Sequence, residues 1–470
     1  MSDFSILQQR LSPRIQSRSL GVKLIVVCGL ALVMAIPALF VEGVVEDRTK
    51  RADDVVKEIS GHVGGQQTFL GPTLAVPYTI PAQMKDDAPK HGVYLVFPKQ
   101  ASGTLKTITE ERRRSLFKVP VFQADLKLEA VFDLAGVPSA APQGANLDWS
   151  QAEMVVGVSD ARGALADAML TAEGKTMTLV PAEVSSDISI GGDQSQHSKL
   201  TLFGAKMDGI AKPNAQFVAT SVMKFSGAQR IALLAYGKTT QLRVQGDWPS
   251  PGFDGGFLPV SRTVSRSGFT AEWSVPFIAR GVRAEGQADS ITGLDATSLG
   301  VSFIEVADPY QSVDRSLKYV ALFLGLLFLT HFVFEVTTGK RVHPAQYVLV
   351  GIAQIIFYLL LLSLAERIGF DLAFLFAGGA TVALLSANAG WVFASRLQGV
   401  RAFAIFSLLY VLTYLLLRLE DNALLVGAIA SFLAVTAAMY FTRTIDWYSS
   451  LPAAGVLDPV TAAAAPKETA

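Results

Sequence analysis

Cysteine is almost absent from this chain of 470 residues, and so is any excess of charge of one sign. The single cysteine, Cys28, falls inside an apolar run, so neither an intramolecular disulfide nor a cysteine-based metal site can form. The 40 basic and 40 acidic residues cancel, and no overall field draws the chain to nucleic acid or to an anionic surface. We therefore expect no nucleic-acid partner, and other partners must be inferred from local features.

Motifs of catalysis and metal binding are missing as well. The five histidines, at positions 62, 91, 197, 331 and 343, show no metal-ligand spacing. The Gly-Lys-Thr tripeptides at 174–176 and 237–239 end like a phosphate loop, but Met169 and Ala232 replace the glycine required five positions earlier, so both are predicted turns. We predict no enzyme activity, no metal and no cofactor.

Long apolar runs occur only towards the two ends of the sequence. Leu24 to Val41 is uncharged over 18 positions, enough to cross about 30 Å of hydrocarbon, and it ends without the small-residue site of a cleaved signal peptide. Five later runs also lack Asp, Glu, Lys and Arg, as a lipid environment demands. They are approximately Tyr319 to Phe334, Gln346 to Leu364, Leu372 to Ala394, Ala402 to Leu417 and Ala423 to Phe441. The sequence therefore predicts six membrane spans.

Basic residues set the expected orientation, because cytoplasmic connections carry an excess of lysine and arginine. They precede span one and lie between spans two and three and between spans four and five: Arg10, Arg14, Arg18, Lys23, Lys340, Arg341, Arg396 and Arg401. Both termini are then cytoplasmic. The expected organisation is a cytoplasmic segment 1–23, a first span 24–41, an extracytoplasmic domain 42–316, a five-helix bundle 317–441 and a cytoplasmic tail 442–470 with a disordered end.

The spacing of apolar residues changes along the inserted segment. Apolar residues at positions 52, 55, 56 and 59 have helical spacing, which predicts an amphipathic helix continuing out of the first span. Beyond Gly64-Gly65 the period becomes two, most clearly at 125–132, and similar strand-like runs recur up to about residue 245. We predict a large β-rich domain, sandwich or barrel-like, inserted between spans one and two. Whether it is one domain or two stays open.

Two groups of residues are candidates for contact or packing. Trp248, Phe253 and Phe257 lie in a segment too rich in glycine and proline for a central strand, and they form either a contact loop or packing. Within the bundle, Gln354, Ser386, Asn388 and Thr413 are polar at membrane depth. We interpret these as interhelical contacts beside small residues spaced four apart at 379, 383 and 387, and at 423, 427 and 431.

A series of motifs in family order resembles the CreD family of bacterial inner-membrane proteins over roughly residues 18 to 448. The motifs are 58–59, 64–67, Gly71-Pro72 through Tyr78, 113–122, Gly246-Asp247-Trp248-Pro249, 268–273, Asp308-Pro309-Tyr310, 318–319, Phe334-Glu335, 343–347, 363–366 and Asp446-Trp447-Tyr448. The resemblance implies a Gram-negative inner membrane, a periplasmic domain, and a role in envelope integrity and stress tolerance. It brings no established catalytic residues.

Three functions remain open on these grounds. The first is a non-enzymatic envelope protein whose periplasmic domain binds an unidentified protein, lipid or wall component, with membrane lipids around its spans. The second is a transporter or channel for an envelope-related solute or lipid, for which only His331 offers an ionisable group within a predicted span. The third, a membrane enzyme, would need a cluster formed by residues far apart in sequence.

Overall fold

The computed structural model describes residues 20–82, 88–114, 117–183, 200–303, 309–418 and 423–443. The chain divides into two compact units, a membrane unit of Met1–Thr49 with Ala307–Ala470 and a β unit of Lys50–Val306. The basic residues 10, 14 and 18, the acidic connection 420–421, Asp308, the motif at 446–448 and the predicted disordered tail lie outside the described residues.

The described part of the chain contains six long helices and three short ones. They are α1 (Leu20–Val63), α2 (Val137–Ala140), α3 (Phe277–Arg280), α4 (Pro309–Lys318), α5 (Val320–Thr338), α6 (Pro344–Ile368), α7 (Phe370–Val392), α8 (Arg396–Arg418) and α9 (Ala423–Thr442). Helices α1, α5, α6, α7 and α8 are long and apolar enough to cross a membrane, which makes the chain a multi-pass protein by length and composition. Helix α9 has 20 residues, covers the sixth predicted span and is uncharged throughout, but it is not among these five helices, so six spans stay a prediction.

Helix α1 runs without a break from the first predicted span through the predicted amphipathic extension. Its buried residues within the membrane unit follow helical spacing: Val27, Met34, Ala38, Val41 and Val45. The remaining apolar side chains of this stretch, such as Leu32 and Phe40, are exposed, as expected of a helix whose other faces meet lipid rather than water. Gly351 of α6 lets α1 approach, since a Cβ at that position would lie 2.7 Å from Met34 Cγ.

The β unit contains eighteen described strands. They are β1 (Gln67–Ile80), β2 (Lys90–Val96), β3 (Gln100–Arg114), β4 (Phe117–Asp133), β5 (Asn146–Leu147), β6 (Glu153–Val158), β7 (Met169–Ala172), β8 (Lys175–Thr178), β9 (Val180–Pro181), β10 (Thr201–Lys206), β11 (Gln216–Ala228), β12 (Arg230–Leu234), β13 (Thr239–Gly246), β14 (Pro251–Gly255), β15 (Ser261–Ser265), β16 (Gly268–Val275), β17 (Glu285–Gln287) and β18 (Ser298–Phe303).

Two sheets divide these strands. The ten-stranded sheet has the order β14-β18-β12-β1-β6-β10-β9, with β2, β5 and β17 attached beside β1 and β2. The eight-stranded sheet has the order β15-β16-β13-β3-β4-β11-β7-β8. Most pairs are antiparallel, but β1 pairs parallel with β12 and β3 with β13, so strands more than a hundred residues apart lie side by side. The predicted turn at 174–176 joins β7 to β8, with Gly174 at φ +75°.

One core holds the two sheets together. The predicted alternation at 125–132 is present in β4, whose buried side chains face a continuous apolar cluster that also receives side chains from the ten-stranded sheet. Tyr236, which follows β12, is fully buried, and the single hydrogen of its hydroxyl lies between the carbonyls of Ser102 (2.9 Å) and Glu129 (2.8 Å) in the opposite sheet. A single core means that the β unit is one domain with a sandwich architecture.

Gly64, the residue after α1, is required by close backbone approach. Gly64 has φ +91°, and a Cβ there would lie 2.6 Å from the Cα of Gly163. The amide nitrogen of the buried Gln67 side chain then lies within hydrogen-bonding distance of the carbonyls of Gly64 (2.8 Å), Asp160 (3.0 Å) and Ser226 (3.3 Å). The motif at 64–67 therefore joins the end of the helix to strands of both sheets.

A buried cation lies at the end of α3. The guanidinium of Arg280 stacks over the ring of Phe97 at 4.2 Å, and its Nε donates to the carbonyl of Ala235 at 2.8 Å. Burial lowers the pKa of Arg280 to about 10, because desolvation disfavours the charged form. The ring and the carbonyl stabilise this charge in place of a carboxylate, which makes Arg280 part of the packing.

Candidate functional site

A buried carboxylate lies at one end of the membrane unit. Glu335 is on the last turn of α5, and its side chain is 0% exposed. It forms an ion pair with Lys23 of α1 and accepts hydrogen bonds from the backbone amide of Val342 (3.0 Å) and the hydroxyl of Tyr347 (2.9 Å). We call Lys23, Glu335, Val342 and Tyr347 the inner cluster.

Local structure explains how these groups meet. Helix α5 ends at Gly339 in the left-handed region (φ +67°), and the short connection returns to α6, where His343 accepts a hydrogen bond from the amide of Ala345 (3.2 Å). Helix α6 therefore begins with His343 as its N-cap and with Pro344 in the first turn. Because Tyr347 is one turn further on, its hydroxyl faces the carboxylate, and the buried charge has a cation and two further donors around it.

His331 lies one turn before Glu335 on the same helix. Its ring stacks on Phe406 of α8 with 5.2 Å between centroids and lies 6.3 Å from the ring of Tyr347. One ring nitrogen is 3.1 Å from the carbonyl of Leu327, and the other, Nε2, has no hydrogen-bond partner among the described residues. The arrangement places a second ionisable side chain beside the inner cluster.

A second ion pair lies further along α1 and joins this helix to α6 instead of α5. Arg48 lies 3.8 Å from the carboxylate of Glu366 near the end of α6, and the hydroxyl of Tyr310 in α4 donates to that carboxylate at 2.9 Å. Along α1, the 25 residues from Lys23 to Arg48 span roughly 37 Å at a rise of about 1.5 Å per residue. That distance exceeds the roughly 30 Å hydrocarbon core of a bilayer, so the two pairs flank the apolar stretch at its two ends.

Gln354 is the polar centre of the bundle between these pairs. It is fully buried on α6, and its carbonyl oxygen accepts a hydrogen bond from the hydroxyl of Tyr410 in α8 at 2.6 Å. Its amide nitrogen and the nearby hydroxyl of Tyr358 have no hydrogen-bond partner among the described residues. Gln354 therefore joins α6 to α8 by a hydrogen bond, and its amide nitrogen is not used in the described part of the chain.

The other predicted polar contacts differ. Ser386 and Thr413 are buried and donate to carbonyls four residues earlier on their own helices, at 2.6 and 3.0 Å, so an interhelical role for them stays a prediction. Asn388 is half-buried on α7. The small residues at 379 and 383 are exposed, because α7 turns Ala377 and Gly378 inward instead.

The aromatic segment of the β unit packs against its core. Trp248 lies edge-on to Phe303 with 6.3 Å between ring centroids, and Phe253 meets Trp273 at 6.0 Å. The carbonyl of Phe257 accepts a hydrogen bond from the indole nitrogen of Trp273 at 3.0 Å. All three predicted residues are half-buried, and strand β14 within the segment is at a sheet edge, as the turn formers required. A contact role for them stays a prediction.

An exposed apolar surface lies next to this segment. Strand β15 is the terminal strand of the eight-stranded sheet, and all five of its residues are exposed. The amide of Val260 donates to the carbonyl of Glu272 at 2.7 Å, which holds the preceding chain beside β16, and β16 leads through Pro276 into α3. The exposed apolar side chains here are Leu258, Val260, Val264, Phe277 and Ile278. We call β15 with these residues the β15 edge.

The middle of the eight-stranded sheet presents a different outer face. Its exposed side chains are paired in charge across strands, for example Lys224 with Asp125 at 3.2 Å and Arg243 with Glu272 at 3.5 Å. Val222 lies on this face and is 47% exposed. A neutral, paired surface of this kind is typical of a solvent-facing sheet.

No group of three or more histidine, cysteine, aspartate or glutamate side chains that could hold a metal ion occurs within the described ranges. Comparison with known proteins then identifies the family. A family model described as inner membrane protein CreD matches residues 19–448. The chain belongs to the CreD family. Inner membrane protein CreD of Escherichia coli (strain K12) is 30% identical over 440 residues, which is 90% of this chain and 93% of that protein.

Membership of the CreD family confirms the resemblance seen in the motifs and makes the protein an inner-membrane protein. Sequence reasoning missed the inner cluster, because the predicted second span stopped at Phe334, one residue before the buried carboxylate. A signal was present, since Lys23 and Glu335 both lie at span ends on the same predicted side of the membrane. Which side each terminus occupies stays a prediction.

Proposed function

We propose that this CreD-family protein maintains cell-envelope integrity from the inner membrane by binding an envelope component on its periplasmic side, without catalysis. The β15 edge is the observation that supports this proposal most directly. A terminal strand offers unpaired backbone donors and acceptors, and natural proteins usually protect such strands. Here the strand is exposed, and the apolar side chains of Leu258 and Val260 directly before it are 67% and 75% exposed.

The chemistry of the edge favours an extended polypeptide segment as the bound component. Such a segment adds a strand to the sheet through main-chain hydrogen bonds, and exposed side chains on the edge give selectivity. Arg262 and Arg266 are exposed on and beside β15, so an acidic segment would be preferred. A periplasmic position for the β unit agrees with the basic residues at one end of the bundle. There Lys340 donates to the carbonyl of Phe393, three residues before Arg396. Basic residues of this kind mark the cytoplasmic side of a membrane protein.

Complementation of a deletion strain tests the proposal. Val264→Asp with Ile278→Asp should abolish the rescue of envelope permeability and stress tolerance, because the charges oppose strand addition at an apolar edge. Val222→Asp is the matched control, since Val222 is 47% exposed and Val264 is 48% exposed. Substitutions at such surface positions leave stability within about 0.5 kcal/mol. Full rescue by the edge variant, at equal protein level, would contradict the proposal.

Transport is a second candidate function, and the inner cluster is the observation that favours it. With Glu335 beside His331, the bundle has two buried ionisable groups where the sequence offered one. In proteoliposomes that contain a pH-sensitive dye and carry a potassium gradient with valinomycin, a proton pathway would acidify or alkalise the lumen. The flux would fall with Glu335→Gln but not with Asp53→Asn, an exposed carboxylate of the same protein. Proton flux no greater than in empty liposomes would remove proton-coupled transport.

A further inference from the structure

A groove between α7 and α8 is open at the surface of the membrane unit. Its volume is about 480 Å³, within the roughly 300–1,000 Å³ of small-molecule sites. Leu375, Gly379, Phe403 and Val411 line it along the helices, and all four are exposed. An apolar groove on the outside of spanning helices faces lipid, so its natural occupant is a hydrocarbon chain.

Two glycines and an aromatic ring form the groove. A Cβ at Gly378 would lie 3.1 Å from the ring of Tyr410, so glycine there lets α8 lie close. Gly379, the next residue, has open space within 4 Å of where a Cβ would be. The missing side chain leaves a channel between the flanking leucine and phenylalanine side chains rather than a filled interface.

The polar end of the groove carries an acid. Asp371 is on the first turn of α7, is exposed, and accepts a hydrogen bond from the hydroxyl of Tyr414 at 3.0 Å. From Asp371 to Val382, the deepest lining residue of α7, 11 residues rise about 16 Å. That is half of a hydrocarbon core of about 30 Å, so the groove extends from the membrane interface to the midplane, the depth of one leaflet.

We propose that this groove is a binding site for one acyl chain of a phospholipid whose headgroup carries a primary amine, such as phosphatidylethanolamine. The chain lies between α7 and α8, and the ammonium group binds Asp371, which Tyr414 orients. A carboxylate at this place attracts an ammonium group and repels an anionic headgroup. The exposed Arg367, four residues earlier at the end of α6, supplies a cation for the phosphate that the same lipid carries.

Lipid retention by the full-length protein tests the site. Protein purified in detergent and incubated with phosphatidylethanolamine or phosphatidylglycerol of the same acyl composition is examined by native mass spectrometry. We expect one bound phosphatidylethanolamine, held roughly tenfold more tightly than phosphatidylglycerol, as one charge-assisted contact allows. Asp371→Asn should make the two affinities about equal, and Gly379→Leu should remove the bound lipid of either kind.

The control variant is Ala380→Leu, which places the same leucine side chain at an exposed position of α7 outside the groove lining. It should retain the lipid. Thermal midpoints of all variants establish that each is folded, and a Cβ at position 379 would have no neighbour within 4 Å. Equal binding of the two lipids by the wild type, or unchanged retention in Gly379→Leu, would mean an ordinary lipid annulus and would overturn the proposal.

Discussion

Replacing Glu335 by glutamine should destabilise the membrane unit by about 2–3 kcal/mol. The carboxylate accepts from Lys23, from the Val342 amide and from the Tyr347 hydroxyl. Glutamine keeps one acceptor oxygen, so at least one buried donor loses its partner. An unsatisfied buried donor lowers the free energy of unfolding by about 1–3 kcal/mol. Loss of the ion pair adds to this. Lys23, with 18% of its side chain exposed, can still extend towards solvent. The total loss of stability is therefore smaller than the roughly 3–5 kcal/mol lost when one partner of a fully buried ion pair is removed.

Scanning fluorimetry of the full-length protein in detergent measures this effect. For a unit of about two hundred residues, each kcal/mol lowers the midpoint by about 2–4 °C, so Glu335→Gln should lower it by roughly 4–12 °C. A double-mutant cycle with Lys23→Met isolates the ion pair, and the double variant should be more stable than the sum of the two losses predicts. Asp53→Asn, at an exposed position, is the control. A midpoint equal to that control, with additive single effects, would refute the reasoning.

Three further predictions concern other contacts of the full-length protein. Gly351→Leu should lower the thermal midpoint by several degrees, since its Cβ would lie 2.7 Å from Met34 Cγ, at a cost of about 1–3 kcal/mol; an unchanged midpoint would mean that α1 does not pack there. Tyr236→Phe should cost the β unit about 1–3 kcal/mol in urea unfolding, because the one buried hydroxyl hydrogen that the two carbonyls share is lost, and a loss below 0.5 kcal/mol would contradict this. A hydrogen bond from Arg162 lowers the pKa of Asp160 in the folded protein. The ionised carboxylate therefore stabilises the fold at pH values above the unfolded pKa of about 3.9. This stabilisation is lost as the pH falls through the lower pKa of the folded state. Asp160→Asn should therefore cost about 1 kcal/mol at pH 7 and less at pH 3, whereas an equal cost at both values would exclude the charge as the cause.

The membrane helices could be predicted because lipid excludes charge over a fixed length. The predicted helix ends were less accurate, since a charged residue can remain inside the bundle when a partner from another helix neutralises it. Glu335 has such a partner in Lys23, which is 312 positions away in sequence. No local pattern shows that pairing.

The faces of the bundle helices were beyond prediction for a related reason. Spanning helices are apolar on every side, so the sequence pattern does not show which side meets a neighbour. The alternative stripes on α7 differ by a rotation of one or two residues, and packing selected Ala377 and Gly378 over Gly379 and Ala383. Gly379 then became part of a groove instead of an interface.

The β unit was predictable strand by strand but not in its order. Period-two alternation locates β4 and β11, because one face of each is buried and the other is wet. The parallel pairs of β1 with β12 and β3 with β13 depend on contacts between distant segments, which alternation does not encode. Aromatic content alone could not separate packing from contact at Trp248, whose ring the structure places against Phe303.

Site-specific photo-crosslinking in living cells tests the central claim, which is that the β15 edge binds an envelope protein. A photoreactive amino acid replaces Val264 or, as the control, Val222, in protein expressed at its natural level. We predict that Val264 yields a discrete adduct with a protein of the periplasm or envelope, and that Val222, equally exposed on the charge-paired face, yields none. No adduct at Val264, or the same products from both positions, would contradict the account.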